Sequence, residues 1–361
     1  MLKINFISRG DIKNPKLWSG TPSILYEKFS ENKDIQITEI SWNIWKPIIS
    51  FYCVIISKLM FIWGTTTDPL LYKISKCLLN SKCKHHKDGI FFMTPEICIP
   101  KNVCNKHCVN YTDSMLCELL PYLEKKPFKK WFTRKYNINL QNDYDKLSLL
   151  FTQNEWSKQV AITQYKINPK KVYNVRFGVN LTPFQGIKDY NQNLLLIVLR
   201  KGTEEYKGLK LLLKAFPLIK ETIKDVKLAV VGTDMGKNID GVTCYYNQPR
   251  STTIELFQKC TLYTMPALRE PNGITYLEGL ANKAPIVGLN RFAFPEFSGN
   301  GEWGFICNND DPQELADTII KALSDKETLK IMGEKGQKFV IENYNWDKVV
   351  NNMIDIMKKE L

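Results

Sequence analysis

The residues best suited to chemistry lie in one decapeptide, Glu270-Pro271-Asn272-Gly273-Ile274-Thr275-Tyr276-Leu277-Glu278-Gly279. It follows a short apolar run at 262–265 that reads as a strand, and it opens a helix over 276–282. Two carboxylates, Glu270 and Glu278, stand eight positions apart, one before the helix and one a turn inside it. The amides of Asn272, Gly273 and Ile274 then lie at a helix N-terminus, where unpaired N–H groups and the macrodipole favour an anion. Gly273 lets the main chain approach a bound phosphate because it has no Cβ. Carboxylates in this position can accept hydrogen bonds from sugar hydroxyls. The alternative is a capped surface helix with an incidental pair of glutamates.

Around this segment the second half of the chain alternates strands and helices. Residues 194–199 form an apolar run ending at Arg200, and an amphipathic helix over 209–223 follows Lys207-Gly208. Strands at 227–231, 242–246, 285–288 and 304–306 and helices at 254–259 and 312–323 complete the pattern. The first half opens as strand (3–8), glycine-bearing loop (Trp18-Ser19-Gly20-Thr21-Pro22) and helix (23–29), then strand (35–40). Short buried strands follow at 89–94, 108–112 and 147–152, with a helix over 155–165. Alternation of this kind predicts two α/β domains with parallel sheets covered on both faces, and ligands at the strands' C-terminal ends. The polar stretch 181–193, with Pro and Gly, reads as the linker. The expected domains are 1–180, rejoined by a C-terminal helix over 346–361, and 181–345.

Composition sets limits on this reading. The 361 residues carry a net charge of +13, and residues 1–150 hold 22 Lys/Arg against 13 Asp/Glu. A basic first half suggests a polyanionic partner: a phospholipid surface, a nucleic acid or phosphorylated substrates. The start, Met1-Leu-Lys-Ile-Asn-Phe-Ile-Ser, turns polar at Arg9-Gly10 without a long apolar run, so no signal peptide is expected. The ten cysteines lack zinc-ribbon spacing and read as reduced thiols of a cytoplasmic protein. Cys77, Cys83, His85 and His86 could be sketched as a metal site, but no metal is expected. Residues 48–63 are apolar yet shorter than the roughly 20 residues that span a bilayer, and Lys58 interrupts them.

The decapeptide resembles the E-x7-E motif of retaining glycosyltransferases of the GT-B fold, family 4 (group 1) type. Pro-Asn-Gly stands here where Pro-Phe-Gly is commoner. The resemblance extends from about residue 147 to the end in the expected order. It takes in Phe151–Ser157, the turn Phe177-Gly178-Val179-Asn180, Val230-Val231-Gly232 and Asn345-Trp346-Asp347. It implies that Glu270 contacts the donor sugar and Glu278 the nucleotide ribose, with Asn272, Gly273, Ile274 and Gly232 beside the donor. Arg200 and Lys207 would neutralise the leaving diphosphate. The family carries Gly where Leu199 stands, so Lys201 is a second candidate for the arginine's role. In the first domain the resemblance places Gly20 and Thr21 near the donor phosphate. Asp113, in Asn110-Tyr111-Thr112-Asp113-Ser114, falls either at the reacting face or at a helix N-cap.

The resemblance therefore implies a metal-independent, retaining transfer from a nucleotide-sugar, most plausibly a UDP-sugar, with no cofactor. The Asn309-Asp310-Asp311 run only superficially resembles a metal motif. The acceptor would be a glycan or lipid-linked molecule in cell-surface polysaccharide or glycoconjugate synthesis. Six cations and four aromatics between residues 125 and 136, among them Lys125, Lys126, Lys129, Lys130, Trp131, Phe132 and Arg134, suggest docking on anionic lipid from the cytoplasmic side. The alternatives are an epimerase of the same fold, a basic nucleic-acid-binding protein and a catalytically dead nucleotide-sugar sensor. No nucleic-acid-binding module is readable, so no nucleic acid is expected as partner.

Overall fold

The computed structural model describes residues 1–14, 17–42, 69–86, 88–95, 97–103, 106–115, 127–236 and 238–361. Two compact units emerge, one of Met1–Arg176 with Trp346–Leu361 and one of Phe177–Asn345.

The first unit runs β1 (Leu2–Arg9), α1 (Thr21–Glu31), β2 (Ile35–Trp42), α2 (Pro69–Cys83), β3 (Ile90–Thr94), β4 (Cys108–Thr112), α3 (Pro127–Tyr144), β5 (Leu149–Thr152), α4 (Glu155–Thr163) and β6 (Val172–Asn174). Its strands form one parallel sheet in the order β2-β1-β3-β4-β5-β6. Strands β3, β4 and β5 are buried along their whole length, as a sheet covered on both faces requires. One face is aromatic: Phe6 stacks on Phe92 at 5.4 Å, and Phe29 of α1 meets Phe92 edge-on at 5.3 Å. On the other face Ile7, Met93 and Leu150 pack with Leu79 of α2 and with Leu140 and Tyr144 of α3. Burial of side chains this size contributes about 1.5–3 kcal/mol each.

The second unit runs β7 (Leu194–Val198), α5 (Leu209–Thr222), β8 (Lys227–Val231), β9 (Val242–Tyr245), α6 (Arg250–Lys259), β10 (Leu262–Thr264), α7 (Ile274–Ala281), β11 (Ile286–Leu289), α8 (Phe294–Phe297), β12 (Gly304–Cys307), α9 (Pro312–Ser324) and α10 (Lys326–Asn343). Helix α11 (Trp346–Glu360) closes the chain and belongs to the first unit, where Lys358 pairs with Asp34 at 3.0 Å. The second sheet is parallel in the order β12-β11-β10-β7-β8-β9. From β7 the chain winds outward through β8 and β9, then returns to β10 on the other side of β7. The strand order therefore reverses between β7 and β10, the point at whose C-terminal strand ends open α/β sheets bind ligands. In the first sheet the same reversal falls between β1 and β3.

Residues 181–193, expected as a free linker, are instead a strap fastened to the second unit. Phe184 N–H donates to Ala281 O at 3.0 Å, and Gln337 Nε2 donates to Phe184 O at 2.7 Å and to Ala281 O at 2.8 Å. Lys188 is 7% exposed, and its ammonium donates to the carbonyls of Phe257, Gln258 and Asn282, each at 2.9 Å. Those carbonyls end α6 and α7, where the helix dipole is negative and the last C=O groups lack helical partners. Most of this stretch does face solvent, but Lys188 and Tyr190 are buried within it, and the lysine's charge has a matched site. Lys188→Ala takes the charged donor from three carbonyls, leaving Phe257 O only the Cys260 thiol at 3.4 Å, and is expected to cost roughly 2–4 kcal/mol. A urea unfolding midpoint unchanged from wild type would contradict that role.

No helix among the described residues is long and apolar enough to cross a membrane. Residues 48–63 lie outside the described ones.

Candidate functional site

The loop leaving β7 is built around a turn at Arg200. Thr203 donates to Arg200 O from both its N–H (2.9 Å) and its Oγ1 (2.7 Å), and Arg200 N–H returns a bond to Thr203 Oγ1 at 3.1 Å. The chain then coils through Lys207, whose N–H donates to Thr203 O at 3.0 Å, and enters α5 at Gly208. Gly208 has φ +80°, and a Cβ there would stand 1.9 Å from Pro266 O. This loop can lie against the chain leaving β10 only because position 208 is glycine. The amides of Leu268 and Arg269 fasten the contact by donating to Tyr206 O at 2.8 and 3.0 Å. Gly232, after β8, has φ +92°, and a Cβ there would lie 2.0 Å from Leu199 O.

Segments 200–208 and 270–278 are therefore neighbours at the reversal of strand order. Lys207 Nζ stands 3.0 Å from Glu270 Oε2, with the two side chains 13% and 18% exposed. Glu270 Oε1 also accepts from Gly273 N–H at 3.2 Å. That bond qualifies the sequence expectation: of the three amides expected at the helix N-terminus, Gly273 already has a carboxylate partner. Gly273 is the left-handed N-cap of α7 at φ 62°. Two tyrosines hold the helix on β10, Tyr276 Oη donating to Met265 O and Tyr263 Oη to Thr275 Oγ1. Asn272 is buried, Ile274 half-buried and Arg200 exposed.

Glu278 is 4% exposed on α7, and the Arg250 guanidinium from α6 donates to its Oε1. Burial pushes the Glu278 carboxyl above the usual carboxylate range; Arg250, then Lys207 and Arg200, pull it back down. Tyr206 is raised by burial first and by Glu270 next, and the Arg269 guanidinium lies 5.2 Å from the centre of its ring. Arg250, Tyr206 and Arg269 were not singled out from sequence. Tyr206 and Arg269 adjoin the motif residues Lys207 and Glu270. Arg250 sits 28 positions before its partner, and no local spacing marks it.

In the first unit, Gly20 (φ 84°) is the N-cap of α1 and Thr21 is its buried first residue. Trp18 and Ser19 before them hold left-handed φ values of 42° and 58°, a conformation costing about 1–2 kcal/mol per residue. Trp18 Nε1 donates to Asp113 Oδ2 at 2.9 Å, Ser114 Oγ donates to Oδ1 at 3.1 Å, and the indole meets Tyr111 edge-on at 5.8 Å. Gly20, Thr21 and Asp113 are thus drawn together through Trp18, which the sequence reading quoted but assigned no role. No helix begins at Ser114 or Met115, the two described residues after Asp113, and residues 116–126 lie outside the described ones.

Lys125 and Lys126 also lie outside the described residues, while Lys129, Lys130, Trp131 and Phe132 belong to α3 and Arg134 is exposed. Asp311 is the N-cap of α9 and Asp310 pairs at 2.9 Å with Arg291 of the loop after β11, so both carboxylates have protein partners. Among the described residues no three His, Cys, Asp or Glu side chains gather to hold a metal, and Cys77 is exposed while Cys83 is buried.

Solved structures share this architecture along its whole length. WaaG, a glycosyltransferase involved in lipopolysaccharide biosynthesis, superposes with a TM-score of 0.67 at 14% identity, covering 97% of this chain and 99% of its own. Anabaena HepE, solved with UDP and glucose, gives 0.66 at 12% identity over 99% and 100%. The fold is GT-B. Residues 182–339 match the family described as Glycosyl transferases group 1, so the second unit is a domain of that type. Curated relatives include N-acetyl-alpha-D-glucosaminyl L-malate synthase of Bacillus anthracis, 26% identical over 52% of this chain and 51% of the relative. Phosphatidyl-myo-inositol mannosyltransferase of Propionibacterium freudenreichii is 24% identical over 51% and 49%. The matched region spans about half the length of these two relatives.

Proposed function

We propose that the chain transfers a sugar from a nucleotide-sugar to a hydroxyl of a glycan or lipid-linked acceptor. The observation that carries this reading is the Lys207–Glu270 pair at the strand reversal, with Arg200 and buried Glu278 beside it. Lys207 and Arg200 would hold the donor diphosphate, Glu270 the sugar hydroxyls and Glu278 the ribose. The sugar's C1–O bond to the phosphate breaks and a bond from C1 to the acceptor oxygen forms on the same face. The leaving phosphate takes the acceptor's proton, so configuration is retained and no metal or cofactor takes part. Fixed cations aimed at developing negative charge are worth several kcal/mol in such a step. Three solved neighbours (HepE, a TarM variant and pneumococcal GtfA) are in complex with UDP, which makes a UDP-sugar the first donor to test.

The test is donor hydrolysis and transfer with a panel of UDP-, GDP- and ADP-sugars, followed by the anomeric configuration of the product. Turnover of one donor with a retained anomer is expected. An inverted product would remove the same-face mechanism, and no turnover of any donor would remove the transferase reading. Release of an epimer from donor alone would favour the epimerase. The basic and aromatic residues 125–136, with exposed Arg134, support a further expectation of docking on anionic lipid at the cytoplasmic membrane face. Sedimentation with anionic and neutral vesicles checks it, and equal binding to both would rule it out.

A further inference from the structure

Glu278 presents a specific problem that Arg250 answers. Its carboxylate is almost wholly buried and lies in the second turn of α7, where water cannot solvate a charge. The charged or titratable groups acting on it are Arg250 on α6, Lys207 and Arg200 on the loop after β7, and Tyr263 on β10. Arg250 alone among these bonds the carboxylate directly, from a side chain that is itself half exposed. It engages Oε1, and among the described residues Oε2 takes no hydrogen bond. One oxygen is therefore held by a cation at the rim, and the other remains as an acceptor.

We propose that Arg250 is a positioning residue for the nucleoside end of the donor, holding the Glu278 carboxylate as an oriented anion whose second oxygen takes the ribose hydroxyls. This deepens the reading of Glu278 given above and rests on it. A buried carboxylate without its paired cation tends to take up a proton, and a protonated carboxyl is a poorer partner for a diol. Removing Arg250 leaves burial opposed only by the more distant Lys207 and Arg200. The ionised form binds, so affinity is kept above the carboxyl's pKa and lost as pH falls through it. Without Arg250 that loss moves to higher pH.

The experiment uses the full chain and whichever of UDP, GDP and ADP binds best by calorimetry, together with its dideoxyribose analogue. Relative to the dideoxy analogue, whose phosphate titrates in the same way, we expect the wild-type Kd to be flat between about pH 8 and pH 6 and the Arg250→Ala Kd to be about tenfold weaker at the lower pH, one pKa unit being a factor of ten. Arg250→Lys keeps the charge without the planar fork and restores part of the flat profile. The dideoxy analogue, lacking the hydroxyls, binds both proteins with the same pH dependence. An Arg250→Ala protein with a flat profile, or one weakened equally for both nucleotides at every pH, overturns the proposal. Glu278→Gln separates it from the underlying reading. Unchanged affinity in that variant, or no binding of any nucleotide by wild type, removes the ribose site itself. A weakened Glu278→Gln beside an unaffected Arg250→Ala removes only the role of Arg250.

Discussion

Lys207→Ala is expected to lower sugar transfer about 10²–10³-fold, the usual loss when one preorganised charge stabiliser is removed, while the protein stays folded. The lysine is held in place before any donor arrives: its loop is fastened to the 268–269 amides through Tyr206, and its ammonium is 3.0 Å from Glu270. Little reorganisation is then needed when the diphosphate takes over the ammonium. The fold should tolerate the change, because a partly exposed pair contributes only about 1 kcal/mol or less and Glu270 keeps the Gly273 N–H. Glu270→Ala should reduce transfer comparably, with its loss falling on contacts to the sugar. Initial rates beside a thermal melt make the check. Near-normal turnover in both variants would remove the site assignment.

Gly208→Ala is the substitution expected to damage the second unit most. The added methyl would meet Pro266 O at 1.9 Å, a backbone atom that cannot swing aside, at a φ of +80°. Left-handed strain and the forced separation of two loops together should cost roughly 3–5 kcal/mol. Because those loops carry Lys207 and Glu270, donor affinity should fall with stability. Gly202 supplies the control, since its φ is also positive at +86° but no atom lies within 4 Å of its added methyl. Gly202→Ala should lose only about 1–2 kcal/mol. Equal shifts in the unfolding midpoint for the two variants would show that close approach is not what fixes glycine at 208.

The second unit was readable where its physics is local. Strand β7 is Leu-Leu-Leu-Ile-Val because a parallel strand buried on both faces has no polar side to show, and β10 follows from the same logic, while α7 begins at Ile274, two residues before the start read from sequence. Strand β4 was read over the residues it occupies, 108–112. Helix α10 was missed because Gly333, Gly336 and two exposed isoleucines, Ile331 and Ile341, blur its apolar stripe. Its glycines answer to packing: a Cβ at 333 would meet Tyr190 Oη at 2.0 Å, and one at 336 would meet Leu280 at 2.6 Å. The segment 181–193 was misjudged because composition does not reveal that Lys188 finds three carbonyls. Arg250 and Trp18 were missed for the same reason, since each acts on a carboxylate far along the chain.

The strap also determines where the second domain begins as a physical object. By sequence its first strand starts at Leu194, but a fragment cut there would lose Lys188, Tyr190 and the Phe184 amide, and so uncover the ends of α6 and α7. Helix α7 carries Glu278, so fraying at its C-terminal end would loosen that carboxylate from behind. The apparently idle thirteen residues before Leu194 are in this sense the rear support of α6 and α7, and any dissection of the protein should begin at Phe177.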